Sequence, residues 1–129
     1  MTDILFAPTS WGEILDKITI LEIKVARLPT NQGRANAAKE LQLLSEIAKP
    51  VLIAPETQKL VAQLKVLNET LWDIENAIRE HERRADFGAT FVALARAVYH
   101  RNDERGAIKS QLNFALGSGL VEEKSYEPY

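Results

Sequence analysis

LVAQLKVLNETLWDIENAI, residues 60–78, decides the fold. Leu60, Leu64, Leu67, Leu71, Ile74 and Ile78 recur at alternating spacings of four and three. That spacing lines them along one side of a helix and could not keep them on one face of a strand. The stripe holds its phase across three heptads, as in a helix packed lengthwise on partners. It predicts a helix from Glu56 to about Arg84, roughly 43 Å long at 1.5 Å per residue, which sets the length of the molecule.

Downstream, Asp86 reads as the cap of a fourth helical segment with Phe91, Leu94, Ala95 and Val98 turned inward, followed by Ile108, Leu112 and either Ala115 or Leu116. Gly117 and Gly119 are suited to end it. Asn102, Asp103 and Gly106 weaken helix without forbidding it, so residues 99–106 either continue the segment or bend it. The tail from Leu120 is short and mixed, and the opening ILFAP (4–8) suits extended chain, which leaves room for a two-stranded pairing of the ends.

Upstream, Pro50 and Pro55 bracket an apolar link, Val51-Leu-Ile-Ala54, of a length that suits a helix connection. A second segment precedes it from about Asn31 to Lys49, with Ala38, Leu41, Leu44, Ile47 and Ala48 read as inward. The first segment opens on Ser10-Trp-Gly-Glu13, in which the Ser10 hydroxyl can accept from the Glu13 amide. Trp11, Ile14, Ile18, Leu21, Val25 and Leu28 then form one stripe, and Pro29 ends it. Ile20 and Ile23 point about 150° away from that stripe, a width one partner helix cannot cover. This helix is therefore either central or at a subunit contact. Together the segments predict an all-α antiparallel bundle of about four helices, built from two helical hairpins in one domain spanning residues 1–129.

Composition bounds what such a bundle can do. A chain of 129 residues with 46% hydrophobic and 26% charged residues can bury one core. A formal net charge of −2 gives no general attraction to nucleic acid or anionic membrane. With no cysteine there is no disulfide, thiolate nucleophile or cysteine zinc site. The opening MTDILF lacks a basic segment followed by an apolar stretch, and no run approaches the ~20 apolar residues of a membrane span. The expectation is a cytoplasmic protein without a membrane partner.

Polar residues concentrate around the turn between the third and fourth segments. Glu75, Arg79, Glu82 and Arg83 lie on one side of it, and Arg96, Tyr99, Asn102, Asp103, Arg105 and Lys109 on the other. In an antiparallel hairpin, residues 102–109 run beside Asn68, Trp72 and Glu75. Guanidinium groups over an aromatic floor can hold a phosphate or carboxylate. The same residues also fit a solvated face, because Glu75 with Arg79 and Glu80 with Arg84 have the spacing of helix ion pairs. His81 continues the apolar stripe and reads as a core-edge histidine, and Trp72 flanks that stripe as a packing residue. Glu22 sits at the core boundary and calls for a basic partner from another helix. Two histidines without a Glu-x-x-His pair make a di-iron site unexpected, Glu13-x-x-Asp16 stands alone as a carboxylate pair, and no motif calls for a metal or cofactor. Gly117-Ser-Gly119 lacks the lysine of a phosphate loop.

SWGEILDKITILEIK (10–24) resembles the opening of a small bacterial family of unknown function. LWDIE (71–75), Asp86-Phe-Gly88, LARAVY (94–99), Asn102-Asp103 and EEKSY (122–126) are similar to the rest of it. The resemblance implies a short helical protein, with Glu13, Asp16, Lys17, Glu22 and Lys24 among its typical polar positions. Glu75, Arg79, Asp86, Tyr99, Asn102, Asp103, Arg105 and Lys109 match as well. It names no activity.

Two functional readings follow. The first is a non-enzymatic bundle that forms a homo-oligomer or docks on a protein partner through the face of Ile20 and Ile23. The second is a binding or catalytic site for an anionic small molecule, a phosphorylated sugar or a nucleotide. Its cations would be Arg79, Arg96, Arg105 and Lys109, with Tyr99 and Asn102 beside them and Glu75 or Asp103 as base. Nucleic-acid binding ranks third, resting on local arginines alone.

Overall fold

A computed structural model describes residues 3–129; Met1 and Thr2 of the opening segment lie outside the described residues. Four helices follow one another: α1 (Trp11–Arg27), α2 (Asn31–Ala48), α3 (Pro55–Arg83) and α4 (Ala89–Ala115). α1 with α2 and α3 with α4 form two antiparallel hairpins, the all-α bundle expected from the periodicities.

α1 packs on all three other helices, whereas α2 packs on α1 and on neither α3 nor α4. The molecule is thus layered, with α2 outermost, α1 in the middle and the α3–α4 hairpin on the far side. This layering accounts for the two apolar faces of α1. Its first stripe meets α2 and the core of Leu15, Ile18, Ala48, Leu60, Leu64 and Leu112. A second seam of Gly12, Asp16, Thr19 and Ile23, spaced four, three and four, turns toward α3 and α4 and is buried. Ile23 therefore is not a free interaction surface, being 2% exposed within one chain; Ile20, half-buried, borders the same seam.

The ends of the helices differ in part from expectation. Ser10 caps α1 as predicted, accepting from the Glu13 amide at 3.2 Å. Asp86 does not cap α4, whose N-cap is Gly88; its carboxylate instead accepts from the Gly88 amide within the turn. α3 closes by a Schellman arrangement, in which the Ala85 amide donates to Glu82 and the Asp86 amide to His81, with Ala85 at φ 52°. α4 closes the same way through Gly117 at φ 60°. Between its ends α4 runs unbroken through residues 99–106. On α2, Ala37 rather than Ala38 is buried and Ile47 is exposed, because α2 has only one helix to face and buries a narrower strip. The two ends of the chain do not pair as strands: residues 3–10 and 118–129 carry no ladder, and the tail instead folds back along α4.

Asn68 on α3 and Arg105 on α4 both reach Asp16, and His81 lies beside Phe91, which fixes the antiparallel register of the long hairpin. α3 has 29 residues against 17 in α1, so the hairpin outruns its cover. The named contacts of α1 with α3 reach as far as Asp73. Beyond that point Ile74 and Ile78 of the founding stripe, with Phe91, Leu94 and Val98 opposite, are only half-buried, as is Leu71 just before it; Leu60 and Leu64 lower down are buried.

Candidate functional site

The second seam of α1 carries a carboxylate into the interior. Asp16, 1% exposed, sits where α1 crosses the α3–α4 hairpin. Its position one turn from Gly12 and Thr19 puts it on the buried face whatever its polarity. Burial of an unpaired carboxylate is costly, and here each acceptor oxygen is used. Arg105 donates through Nε to Oδ1 at 2.9 Å and through a terminal nitrogen to Oδ2, a two-pronged pair. The Asn68 amide donates to Asp16 at 2.9 Å and to the Thr19 hydroxyl at 2.8 Å, while Thr19 donates back to the Asp16 carbonyl. Arg105 also reaches the Asn102 oxygen at 3.3 Å. The hydrogen bond from Asp16, with its charge, holds the Arg105 guanidinium above its already high ordinary pKa despite burial.

One turn down α4, Lys109 donates to Glu13 of α1 at 2.8 Å and to Glu122 of the tail at 2.9 Å. Burial by itself would push the ammonium down; the two carboxylates outweigh it and hold its pKa above the usual value. The same contact lowers Glu122. At the foot of α4, the Asn113 side chain accepts from the Gly12 amide at 2.6 Å and the Ser118 hydroxyl from the Trp11 amide at 3.2 Å. With Ser10 on Glu13, the free amides that open α1 are satisfied, two of them by residues more than a hundred positions away.

Above the Asp16–Arg105 pair lies a 550 Å³ groove at the junction of three helices. Ile20 and Ile23 come from α1, Asn102 and Arg105 from α4, and Asn68, Leu71, Trp72, Glu75, Asn76 and Arg79 from α3. Four of the residues expected to form a ligand site, Glu75, Arg79, Asn102 and Arg105, therefore share one concavity, and Trp72 lines it. The other four do not join them. Tyr99 and Asp103 face the tail, where the Tyr129 hydroxyl donates to Asp103 and the Tyr129 ring packs on Tyr99 and His100 at 5.1 and 4.7 Å. Lys109 is buried between its carboxylates, and Arg96 stands exposed nine residues up α4 from Arg105, about 13 Å along the axis. Helix angle explains three of these: at 100° per residue, Arg96, Tyr99 and Asp103 share one side of α4 and Asn102, Arg105 and Lys109 another; Lys109 misses the groove because it lies one turn below Arg105, held by Glu13 and Glu122.

The cations of the site are matched by carboxylates: Arg105 with Asp16, Lys109 with Glu13 and Glu122, Arg79 with Glu75. The arrangement holds three helices and the tail in register and offers hydrogen-bonding groups along an apolar wall. Among the described residues no three His, Asp or Glu side chains come close enough together to hold a metal. Elsewhere, Glu22 finds its expected basic partner in Lys65 at 3.7 Å, and His81, buried at the hairpin turn, contacts the Asp86 carbonyl at 3.2 Å as a core-edge histidine would. Asn113 and Ser118 have no part in the sequence expectations, and Asp16 stands there as half of a lone carboxylate pair and as a polar position of the family resemblance, without a role. The one available signal was the four-three-four spacing of Gly12, Asp16, Thr19 and Ile23.

Comparison with family models matches residues 7–129 to a family of unknown function, DUF6165. The chain belongs to that family. No curated protein and no solved structure matches it. Glu13, Asp16, Asn102, Arg105 and Lys109, which the resemblance in the sequence picked out, meet in the α1–α4 network. No described helix of this DUF6165 chain is long and apolar enough to cross a membrane.

Proposed function

We propose that the protein is a non-enzymatic helical bundle that works by self-association. One observation carries this reading: the α3–α4 hairpin is covered by the rest of the chain on one face and along part of its length. Half-buried Leu71, Ile74, Ile78, Phe91 and Leu94 gain further from water only if something else covers them. Three of the four cations of the polar cluster, Arg79, Arg105 and Lys109, are paired with carboxylates, and Arg96 lies apart from them, which weighs against an anion site as the main role. The net charge of −2, with Arg83 and Arg84 beside Glu80 and Arg101 beside Glu104, weighs against a nucleic-acid surface. The reading is of a cytoplasmic homo-oligomer, in keeping with a cysteine-free chain. Light scattering on the eluting protein at micromolar concentration tests it: a mass above that of one chain is expected, and a single-chain mass at every concentration argues against it.

A second reading is favoured by the convergence of Glu75, Arg79, Asn102 and Arg105 on one groove with Trp72. Arg79 is the cation able to change partners there, because its pair with Glu75 is solvent-exposed and worth little. An anionic nucleotide or sugar phosphate would stack on Trp72 and take Arg79 from Glu75. A thermal-shift panel of such compounds should then stabilise the wild type and not Arg79→Ala; no shift with any of them removes this reading.

A further inference from the structure

We infer that the face of the α3–α4 hairpin turned away from α1 seats the same face of a second copy of this chain, related by a twofold axis. The inference rests on the self-association reading and adds a surface of its own, lower on the hairpin than half-buried Leu71 to Leu94. α1 lies against one side of the hairpin, and on the opposite side a 700 Å³ groove runs between α3 and α4. Its walls are nearly all apolar: Ala62, Val66 and Leu67 from α3, Ala107 and Ile108 from α4. Val66 is 62% exposed there, on a helix whose other side supplies the core. The alanines keep the wall low, so that a partner helix can approach closely.

The placing of its charges points to a second copy as the occupant. The groove carries one charge of each sign, Lys59 and Glu104. The register that sets Asn68 beside Arg105 places Glu104 level with residues 68–69 of α3, about 14 Å along the axis from Lys59. The two charges therefore mark opposite ends of the groove. A twofold axis through its middle, near Gln63, exchanges the ends and brings Lys59 of each copy against the other copy's Glu104. An isologous contact of this kind is self-complementary by symmetry. With the axis near Gln63 and α3 beginning at Pro55, the two copies overlap over about 25 Å of a face two helix diameters wide, on the order of 500 Å² on each partner, the size of a weak, reversible dimer.

The test compares dimer dissociation constants by light scattering for wild type, Val66→Asp, Lys59→Glu, Glu104→Lys and the Lys59→Glu/Glu104→Lys double variant. Val66→Asp sets like charges near the axis and should weaken the dimer at least tenfold, roughly, with helical circular dichroism unchanged. Each single charge reversal should weaken it as well, and the double variant, which restores both pairs, should recover most of the loss. If Val66→Asp fails to fold, the charge exchange alone decides, because all three of its variants lie on solvated helix positions. A dimer that forms in wild type and is indifferent to these changes overturns this face and leaves self-association standing on another. A wild type that remains monomeric throughout overturns both, and assigns the groove to a helix of some other protein.

Discussion

Asp16 and Arg105 sit at the crossing of three helices, and each makes the other tolerable there. The carboxylate is almost wholly buried, while the guanidinium keeps a quarter of its side chain in water. Removing one partner strands a charge, and removing both mainly loses hydrogen bonds. Asp16→Ala should lower unfolding stability by about 3 kcal/mol in urea titration, and Asp16→Ala/Arg105→Met should cost clearly less than the sum of the two single changes. Additive costs would mean that the pair does not act as a unit. Gly12, one turn before Asp16, is needed for a different reason. A Cβ there would stand 2.6 Å from the Lys109 carbonyl oxygen and 3.0 Å from the Asn113 side chain, so α1 and α4 would have to separate. Gly12→Ala should therefore destabilise by about 1–3 kcal/mol although alanine favours helix. A neutral or stabilising result would show that the crossing is looser than described. Neither residue announced itself in the sequence: Asp16 reads as an ordinary helix acid and Gly12 as a gap in the Trp11–Leu28 stripe, because what makes them special is the backbone of a helix a hundred residues away.

At the scale of elements, helices α3 and α4 end in the same hydrogen-bond pattern with different residues at the left-handed position. Gly117 adopts φ 60° with nothing near it, so its fitness is conformational alone. Ala85 adopts φ 52°, where its Cβ costs about 1–2 kcal/mol. Ala85→Gly should raise stability by about 1 kcal/mol and Gly117→Ala should lower it by a similar amount, both measured in urea; matching signs for the two would refute the assignment. The tail is a third element, clasped by Lys109 to Glu122. Glu122 is lowered in the folded protein, so its contribution is present above the unfolded carboxylate value of about 4.3 and is lost as pH falls through the folded value. Lys109 is raised, so its contribution is present below about 10.4 and is lost as pH rises past that. The mobility of residues 120–126, followed by relaxation of their carbon nuclei, should thus be low and level between those limits and rise outside them; a clasp that loosens between pH 6 and 8 would contradict it. Helix positions were legible because the leucine and isoleucine spacing of α1 and α3 reports a face directly. The α4 cap and the course of the tail were not, since Asp86 serves a turn as well as a cap and an extended tail has no period to read.

For the whole molecule, the sequence left α1 either central or at a subunit contact, and the layered packing makes it central. That moves the question of association from Ile20 and Ile23 to the long hairpin. Part of the candidate site was legible too: Glu75, Arg79, Asn102 and Arg105 were grouped correctly because an antiparallel hairpin brings them together. Tyr99, Asp103 and Arg96 were not separable by position alone, since which side of α4 meets α1 depends on packing, and Lys109, on the side that does meet α1, is drawn off by Glu13 and Glu122. A bundle whose longest pair of helices has an unoccupied face gains most from a partner along that face. Sedimentation equilibrium over the micromolar range tests this most directly. The weight-average mass should climb from the 14.5 kDa of one chain toward twice that value; a mass that stays at 14.5 kDa at the highest concentration would mean that the hairpin face takes up no second copy.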